Sequence, residues 1–212
     1  MTRARKIAGV RRSLPHPAAK PLLFVASLTP LAWLVFALFS QRLGANPAEA
    51  LQHATGIWAL RLLCLTLAVT PLRVRTGTPQ LARFRRMLGL FAFFYACLHL
   101  LTYLWFDMWF AWADIAADIA QRPFILVGLA TWLCLLPLAL TSTNRMIKRL
   151  GARRWRRLHR LVYAAAALAL LHFFWMRAGK HNYAEVWLYV AILGALALER
   201  LQRASRVPGA AR

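Results

Sequence analysis

Long apolar runs separated by short polar stretches dominate the chain. Six of them hold roughly 18–20 residues each, the length that an α-helix needs to cross the ~30 Å hydrocarbon layer of a bilayer. The runs lie at residues 22–39, 53–72, 87–106, 123–141, 159–176 and 184–201. This pattern predicts an all-α integral membrane protein built as a bundle of six transmembrane helices.

Residues 1–20 are predicted to form a basic tail, residues 21–201 the transmembrane domain and residues 202–212 a second tail. No internal repeat and no soluble domain is visible. Most of the 28 lysines and arginines lie in the tails and in the second and fourth connections, whereas five of the six acidic residues lie in the other connections. Because cytoplasmic loops retain positive charge, both termini are expected to be cytoplasmic.

The net charge of +22 has a different interpretation in a membrane protein than in a soluble one. In a soluble protein it would suggest nucleic-acid binding, but here the basic residues flank membrane-length runs, so the expected partner is lipid and not nucleic acid. The three cysteines lie inside apolar runs and show neither zinc-site spacing nor a covalent haem motif. No catalytic triad, paired carboxylates or phosphate-binding loop is present.

Two histidines inside predicted helices share a depth in the membrane. His99 lies about seven residues before the outer end of the third helix, and His172 about five residues before the outer end of the fifth. Ionisable side chains inside a membrane usually serve a function, and two facing neutral imidazoles are typical axial ligands of an electron-transferring b-type haem. The small residues expected on their helix faces are Gly89, Ala92, Ala96, Ala165 and Ala169.

These small faces would leave room for a flat macrocycle. The alternative is that small residues only let the helices approach closely, and that the two histidines hydrogen-bond to each other across the interface.

A second candidate level lies near the cytoplasmic side, where His159 begins the fifth helix and Arg85 and Arg86 precede the third. Arginine binds carboxylates and phosphates, so this level could hold a haem propionate, a flavin phosphate or a second haem with an unusual ligand. The thirteen-residue step from His159 to His172 rotates a helix by about 220°, which disfavours a simple stack of two haems. The alternative is an interfacial histidine among arginines.

Arg61 is a basic residue within the second apolar run. It would either neutralise a cofactor anion or extend to the membrane surface. The remaining histidines, at positions 16, 53 and 181, are expected to be solvated. The acidic 107–122 connection, with Asp107, Asp114 and Asp118, is the expected docking surface for an external protein.

Several motifs carry a family resemblance. Six helices with His99 on the third and His159 and His172 on the fifth resemble the ferric-reductase-like transmembrane domain. The segments NPAEALQHATGIWALRLL, RRMLGL, YACLHLLTYLW and RRLHRLVYAAAALALLHFFW are similar to the MsrQ (YedZ-type) family of haem-binding membrane subunits.

That resemblance implies a bacterial inner-membrane electron-transfer subunit with no catalysis of its own, binding haem b and FMN. Its electrons would come from the quinone pool or a cytosolic flavin reductase and pass to a periplasmic molybdopterin methionine-sulfoxide reductase. It assigns His99, His159 and His172 as haem ligands. Two other functions are considered, a stand-alone transmembrane metalloreductase and a carrier whose histidines relay protons.

Overall fold

The computed structural model describes residues 18–178 and 183–205 as a helical bundle. The tails expected at 1–20 and 202–212 lie mostly outside the described residues, as do His16 and His181. The helices are α1 (Ala19–Phe39), α2 (Pro47–Arg75), α3 (Ala82–Thr102), α4 (Trp112–Gln121), α5 (Pro123–Leu140), α6 (Asn144–Leu158), α7 (Leu161–Ala178) and α8 (Ala184–Ser205). The prediction of an all-α membrane protein is confirmed.

Within the described residues, five helical stretches are long and apolar enough to cross a membrane. They are Ala19–Phe39, Pro47–Arg75, Pro79–Asp107, Pro123–Leu140 and Leu161–Ala178. The sixth predicted run forms the 22-residue helix α8, which carries charge at both ends through Glu185, Glu199 and Arg203. A sixth span, and with it the cytoplasmic placement of both termini, stays a prediction.

Local sequence sets the limits of the helices that carry the histidines. Asn46 caps α2 by accepting a hydrogen bond from the Glu49 amide at 3.2 Å, and Pro47 occupies the first turn, where its missing N–H is harmless. Helix α3, which is antiparallel to α2, ends beside this cap and passes into a π-helical turn at Tyr103–Asp107. Such turns often lie beside functional residues.

The bundle is built from two antiparallel helix pairs, α2 with α3 and α5 with α7, which meet where α3 contacts α5. Large and small side chains interdigitate in the shared core. Its buried members include Leu62, Leu63, Phe91, Tyr95, Leu135, Leu138 and Ala165. A second cluster joins α2 and α7 to α8 through Leu60, Cys64, Phe173, Val186 and Tyr189.

Helix α1 is attached to the bundle by a tyrosine of α3. The fully buried Tyr95 donates its hydroxyl to the Ser27 carbonyl at 2.9 Å and accepts from the Leu31 amide at 3.0 Å. These two backbone groups would bond to each other in an unbroken helix. Tyr95 therefore enters the backbone ladder of α1 beside Pro30, a residue that itself disrupts the ladder.

Two shorter helices form where connections were expected. Helix α4 lies within the acidic 107–122 connection, and α6 contains most of the basic residues of the fourth connection. Helix α6 has no buried residue and is interrupted at Gly151, whose φ of 74° favours glycine. With 10 and 15 residues, α4 and α6 are too short to be found by a search for membrane-length runs.

Candidate functional site

His99 and His172 come together at one end of the bundle. His99 lies in the last turn of α3 and His172 near the end of α7, and their ring centroids are 6.0 Å apart with an interplanar angle of 73°. Both rings are partly buried. The two histidines predicted to share a depth therefore face each other across the two helix pairs.

Each imidazole is oriented by a backbone carbonyl on the neighbouring helix of its own pair. His99 Nδ1 lies 2.8 Å from the Gln52 carbonyl oxygen of α2, and His172 Nδ1 lies 2.6 Å from that of Phe124 in α5. A carbonyl oxygen can only accept, so in each ring Nδ1 carries the proton and donates it. The other nitrogen, Nε2, keeps its lone pair, which is the tautomer that a metal ligand requires.

A glycine lies against each of these rings. A Cβ placed at Gly56 of α2 would meet His99 Cε1 at 3.0 Å, and one at Gly128 of α5 would meet His172 Cε1 at 2.8 Å. Both distances are below ordinary carbon contact, so neither position accepts a side chain unless the ring moves. The glycines thus allow each histidine to lie directly on its partner helix.

The two helix pairs repeat this arrangement. In each pair, one helix contributes a backbone carbonyl and, one turn later, a glycine, and both contact the histidine of the antiparallel helix. The residue with the carbonyl and the histidine are 47 positions apart in one pair and 48 in the other. Sequence reasoning found no internal repeat and missed Gly56 and Gly128. The sequence feature that could have revealed these glycines is the similar number of residues between glycine and histidine in the two helix pairs.

The spacing of the two rings fits a shared metal ion. One nitrogen from each ring at about 2 Å from the metal separates the nitrogens by about 4 Å and the ring centroids by about 6 Å. With both Nδ1 atoms donating to carbonyls, His99 and His172 would each offer Nε2 to a haem iron, which would supply one-electron chemistry. A hydrogen bond between the histidines, the alternative, is not needed to satisfy Nδ1.

The small residues of α3 and α7 have mixed roles. A Cβ at Gly89 would lie 3.5 Å from Thr66 Cγ2, so this glycine faces α2 and serves helix packing, which is the alternative considered for it. Ala92 and Ala165 are 1% and 0% exposed and belong to the core between the pairs. Only part of the expected small face is therefore available to line a cofactor.

A hydrogen bond and an ion pair stabilise the connection that follows His99. The Tyr103 hydroxyl donates to Asp118 Oδ2 at 2.8 Å, and Arg122 Nε lies 2.9 Å from Asp118 Oδ1. The Asp118 side chain is only 12% exposed. Asp118 thus fixes α4 against the end of α3, whereas Asp107 and Asp114 are exposed; the docking surface itself stays a prediction.

The second predicted level lies at the opposite end. His159 follows α6, two residues before α7 begins, and its ring stacks on Trp155 with centroids 3.8 Å apart. Burial lowers the pKa of His159, and Arg85 and Arg86 lower it further, while hydrogen bonds to the Trp155 and Leu138 carbonyls raise it. The ring is therefore held neutral among cations.

No partner imidazole completes this level within the described residues. His53, His99 and His172 all lie near the other end, and His53 is partly exposed. Arg85 donates to the Thr70 hydroxyl at 3.4 Å and Arg86 to Asn144 Oδ1 at 2.8 Å. Both guanidinium groups meet neutral partners, which leaves their charge available to an anion.

The two alternatives for Arg61, a cofactor anion or the membrane surface, stay predictions. Arg61 is exposed on the outside of the bundle, where Nε donates to the Tyr189 hydroxyl at 3.2 Å and the guanidinium lies 4.9 Å from the Trp58 ring. A hydrogen bond and a cation–π contact stabilise it locally. Arg61 is therefore not placed beside the two facing histidines.

Comparison with known proteins agrees with this architecture. Residues 55–170 match the family described as ferric reductase like transmembrane component. A protein of Polaromonas naphthalenivorans (strain CJ2), called protein-methionine-sulfoxide reductase heme-binding subunit MsrQ, is 64% identical over 190 residues, which cover 90% of this chain and 87% of that protein. A protein of the same name from Herminiimonas arsenicoxydans is 50% identical over 182 residues, covering 86% and 84%.

A third relative of that name, from Ralstonia nicotianae, is 50% identical over 179 residues, covering 84% of this chain and 82% of the relative. These alignments run through both helix pairs. The chain belongs to the ferric reductase like transmembrane component family and, within it, to the MsrQ group.

Proposed function

We propose that the chain is a membrane electron-transfer subunit that binds one b-type haem between His99 and His172. The observation that carries this proposal is the 6.0 Å separation of two rings whose Nδ1 atoms both lie within hydrogen-bonding distance of backbone carbonyls. The names of the relatives, which state haem binding, support it.

A haem held by two histidines supplies reversible one-electron chemistry and leaves no open coordination position for oxygen. The chain's own residues hold the two histidines in place and orient their rings. The Gln52 and Phe124 carbonyls fix the tautomer of each histidine, and Gly56 and Gly128 set its distance from the neighbouring helix. Nothing in this arrangement requires substrate chemistry, so we propose a non-catalytic subunit.

For the partner, we propose a periplasmic molybdopterin methionine-sulfoxide reductase in the bacterial envelope, with this chain in the inner membrane. The relatives' names, which mention protein-methionine-sulfoxide reductase, support this partner. Asp107 and Asp114 remain candidates for steering such a protein to the end of the bundle that holds the two facing histidines.

For the donor side, we propose the end with Arg85, Arg86 and His159, served by the quinone pool or by a cytosolic flavin reductase. The proposal of FMN at this end rests on the two guanidinium groups, whose described partners are neutral. Charge-assisted hydrogen bonds to a phosphate would each contribute about 1.5–3 kcal/mol. His159 is proposed as a further contact of the bound cofactor.

The test compares absorption spectra of the purified full chain and its variants. His99→Ala and His172→Ala should each remove the low-spin haem spectrum, whereas His53→Ala, a histidine at the same end, should leave it unchanged. Full haem content with unchanged reduced bands in both site variants would refute the ligand assignment. Ferric-chelate reduction by the wild-type chain without any partner protein would favour the stand-alone metalloreductase.

A further inference from the structure

An apolar groove runs between the first halves of α1 and α3. It has a volume of about 570 Å³ and is lined along its length by Phe24 and Leu28 of α1 and by Met87, Leu90, Phe91 and Phe94 of α3. Three of these side chains remain substantially exposed, Phe24 at 49%, Leu90 at 39% and Phe94 at 36%. The volume lies within the range of ligand sites.

One end of the groove is cationic. Lys20, Arg83 and Arg86 complete its lining, and all three side chains are exposed. Arg86 donates to the neutral Asn144, and Arg83 lies over the Phe84 ring at 6.0 Å. Among the described residues, the ion pairs involve other arginines, namely Arg75, Arg122, Arg177 and Arg203.

The length of the groove matches one leaflet of a bilayer. Arg83 and Phe94 are eleven residues apart on α3, which corresponds to about 16 Å along the helix, roughly half of the ~30 Å hydrocarbon layer. The cations lie at the helix starts, where a headgroup would be, and the apolar side chains extend inward from them. An acyl chain below an anionic headgroup has this distribution of charge and apolar surface.

The attachment of α1 explains why the groove exists. Tyr95 fastens α1 to α3 at Ser27 and Leu31, on either side of Leu28, the innermost lining residue of the groove on α1. Nearer the helix starts, Phe24 of α1 contacts Phe91 of α3 edge to face, with ring centroids 5.2 Å apart, and both side chains line the groove. These contacts set the position of α1 on α3 and, with it, the shape of the groove.

We propose that this groove is a binding site for an anionic phospholipid, with the phosphate beside Lys20 and Arg83 and one acyl chain along the phenylalanines. Basic pockets between membrane helices on the cytoplasmic side suit such lipids. A neutral quinone would leave Lys20 and Arg83 without a counter-charge. The site is separate from the facing histidines and does not depend on haem binding.

Native mass spectrometry of the full chain in neutral detergent measures the binding of dioleoylphosphatidylglycerol and of dioleoylphosphatidylcholine. Each basic residue near the surface contributes about a factor of five to binding of an anionic lipid, so Lys20→Gln with Arg83→Gln should weaken phosphatidylglycerol about 25-fold. The control, Arg73→Gln with Lys148→Gln, removes the same charge from residues that do not line the groove. It should change binding less than twofold.

A second variant tests the apolar part without changing charge. Leu90→Trp should fill the groove and weaken phosphatidylglycerol while leaving the haem spectrum as in the wild type. Equal binding of the two lipids, or equal losses in the control, would overturn the proposal. Competition by glycerol 3-phosphate at the same concentration as the lipid would also overturn it, since the site would then recognise a free phosphate.

Discussion

Replacing Gly128 by alanine tests how closely the protein must hold His172. The added Cβ would lie 2.8 Å from His172 Cε1 and 2.9 Å from Nδ1. Carbon atoms in good contact are about 3.5–4.0 Å apart, so the ring must move by roughly 0.7 Å or more. At Gly56 the corresponding distances to His99 are 3.0 and 3.1 Å, and the required movement is somewhat smaller.

The ring of His172 has little freedom to move. Its Nδ1 donates at 2.6 Å to the Phe124 carbonyl, which lies one turn before Gly128 on the same helix. Metal–ligand distances tolerate about 0.2 Å, and disturbing the groups that orient a ligand lowers metal affinity about 10–100-fold. We therefore expect a haem affinity 10–100-fold lower in Gly128→Ala, and a smaller decrease in Gly56→Ala.

The loss of haem is measured as the haem-to-protein ratio and as the reduced α-band, both on the same preparation of each variant. The control is Gly194→Ala in α8, where an added Cβ meets nothing within 4 Å. Alanine is favoured over glycine in a helix by up to about 1 kcal/mol, so this control should be at least as stable as the wild type and keep its spectrum. A normal low-spin spectrum in Gly128→Ala, or equal loss in Gly194→Ala, would refute the reasoning.

Three further predictions concern other contacts. Tyr95→Phe should lower the free energy of unfolding in detergent by about 0.6–1.7 kcal/mol, the range for interhelical hydrogen bonds in membranes, and leave haem content unchanged. Asp118→Ala should destabilise by about 1–3 kcal/mol in the same assay, because Tyr103 loses its acceptor, while Asp118→Asn should lose less. His159 has a folded pKa below 6.5, so the unfolded state binds its proton first and stability should decrease as pH falls below about 6.5; His159→Gln should flatten that slope in pH-dependent unfolding.

The membrane architecture could be predicted from sequence because it depends on length and polarity alone. An apolar run of about 20 residues has few alternatives to a membrane helix. The depth of each histidine in the membrane could be predicted in the same way, because a number of residues along a helix corresponds to a fixed distance. His99 and His172, which were predicted to share a depth, indeed lie side by side. The additional helices α4 and α6 were not predicted because they are shorter than a membrane span and contain charged residues.

The partners of individual side chains could not be predicted. Asp118 was expected to face outward, but a tyrosine and an arginine hold it against the bundle. The hydrogen bond from Arg61 to Tyr189 was not predicted either, and it forms because α8 packs beside α2. Both outcomes depend on which helices become neighbours, and hydropathy contains no information on that choice.

The separation of the facing rings depends on the contacts between the two helix pairs, and one of these lies beside the site. Each helix pair orients its own histidine, but the distance between the rings depends on how the pairs pack. Trp132 of α5 donates to Cys97 Sγ of α3 at 3.3 Å and lies 5.8 Å from the Phe93 ring. Cys97 is two residues from His99, and Trp132 is one turn from Gly128, so this contact joins the pairs directly beside the site. Orientation and spacing therefore depend on different contacts, and we expect a change at Trp132 to affect the distance between the imidazoles more than the tautomer of either ring.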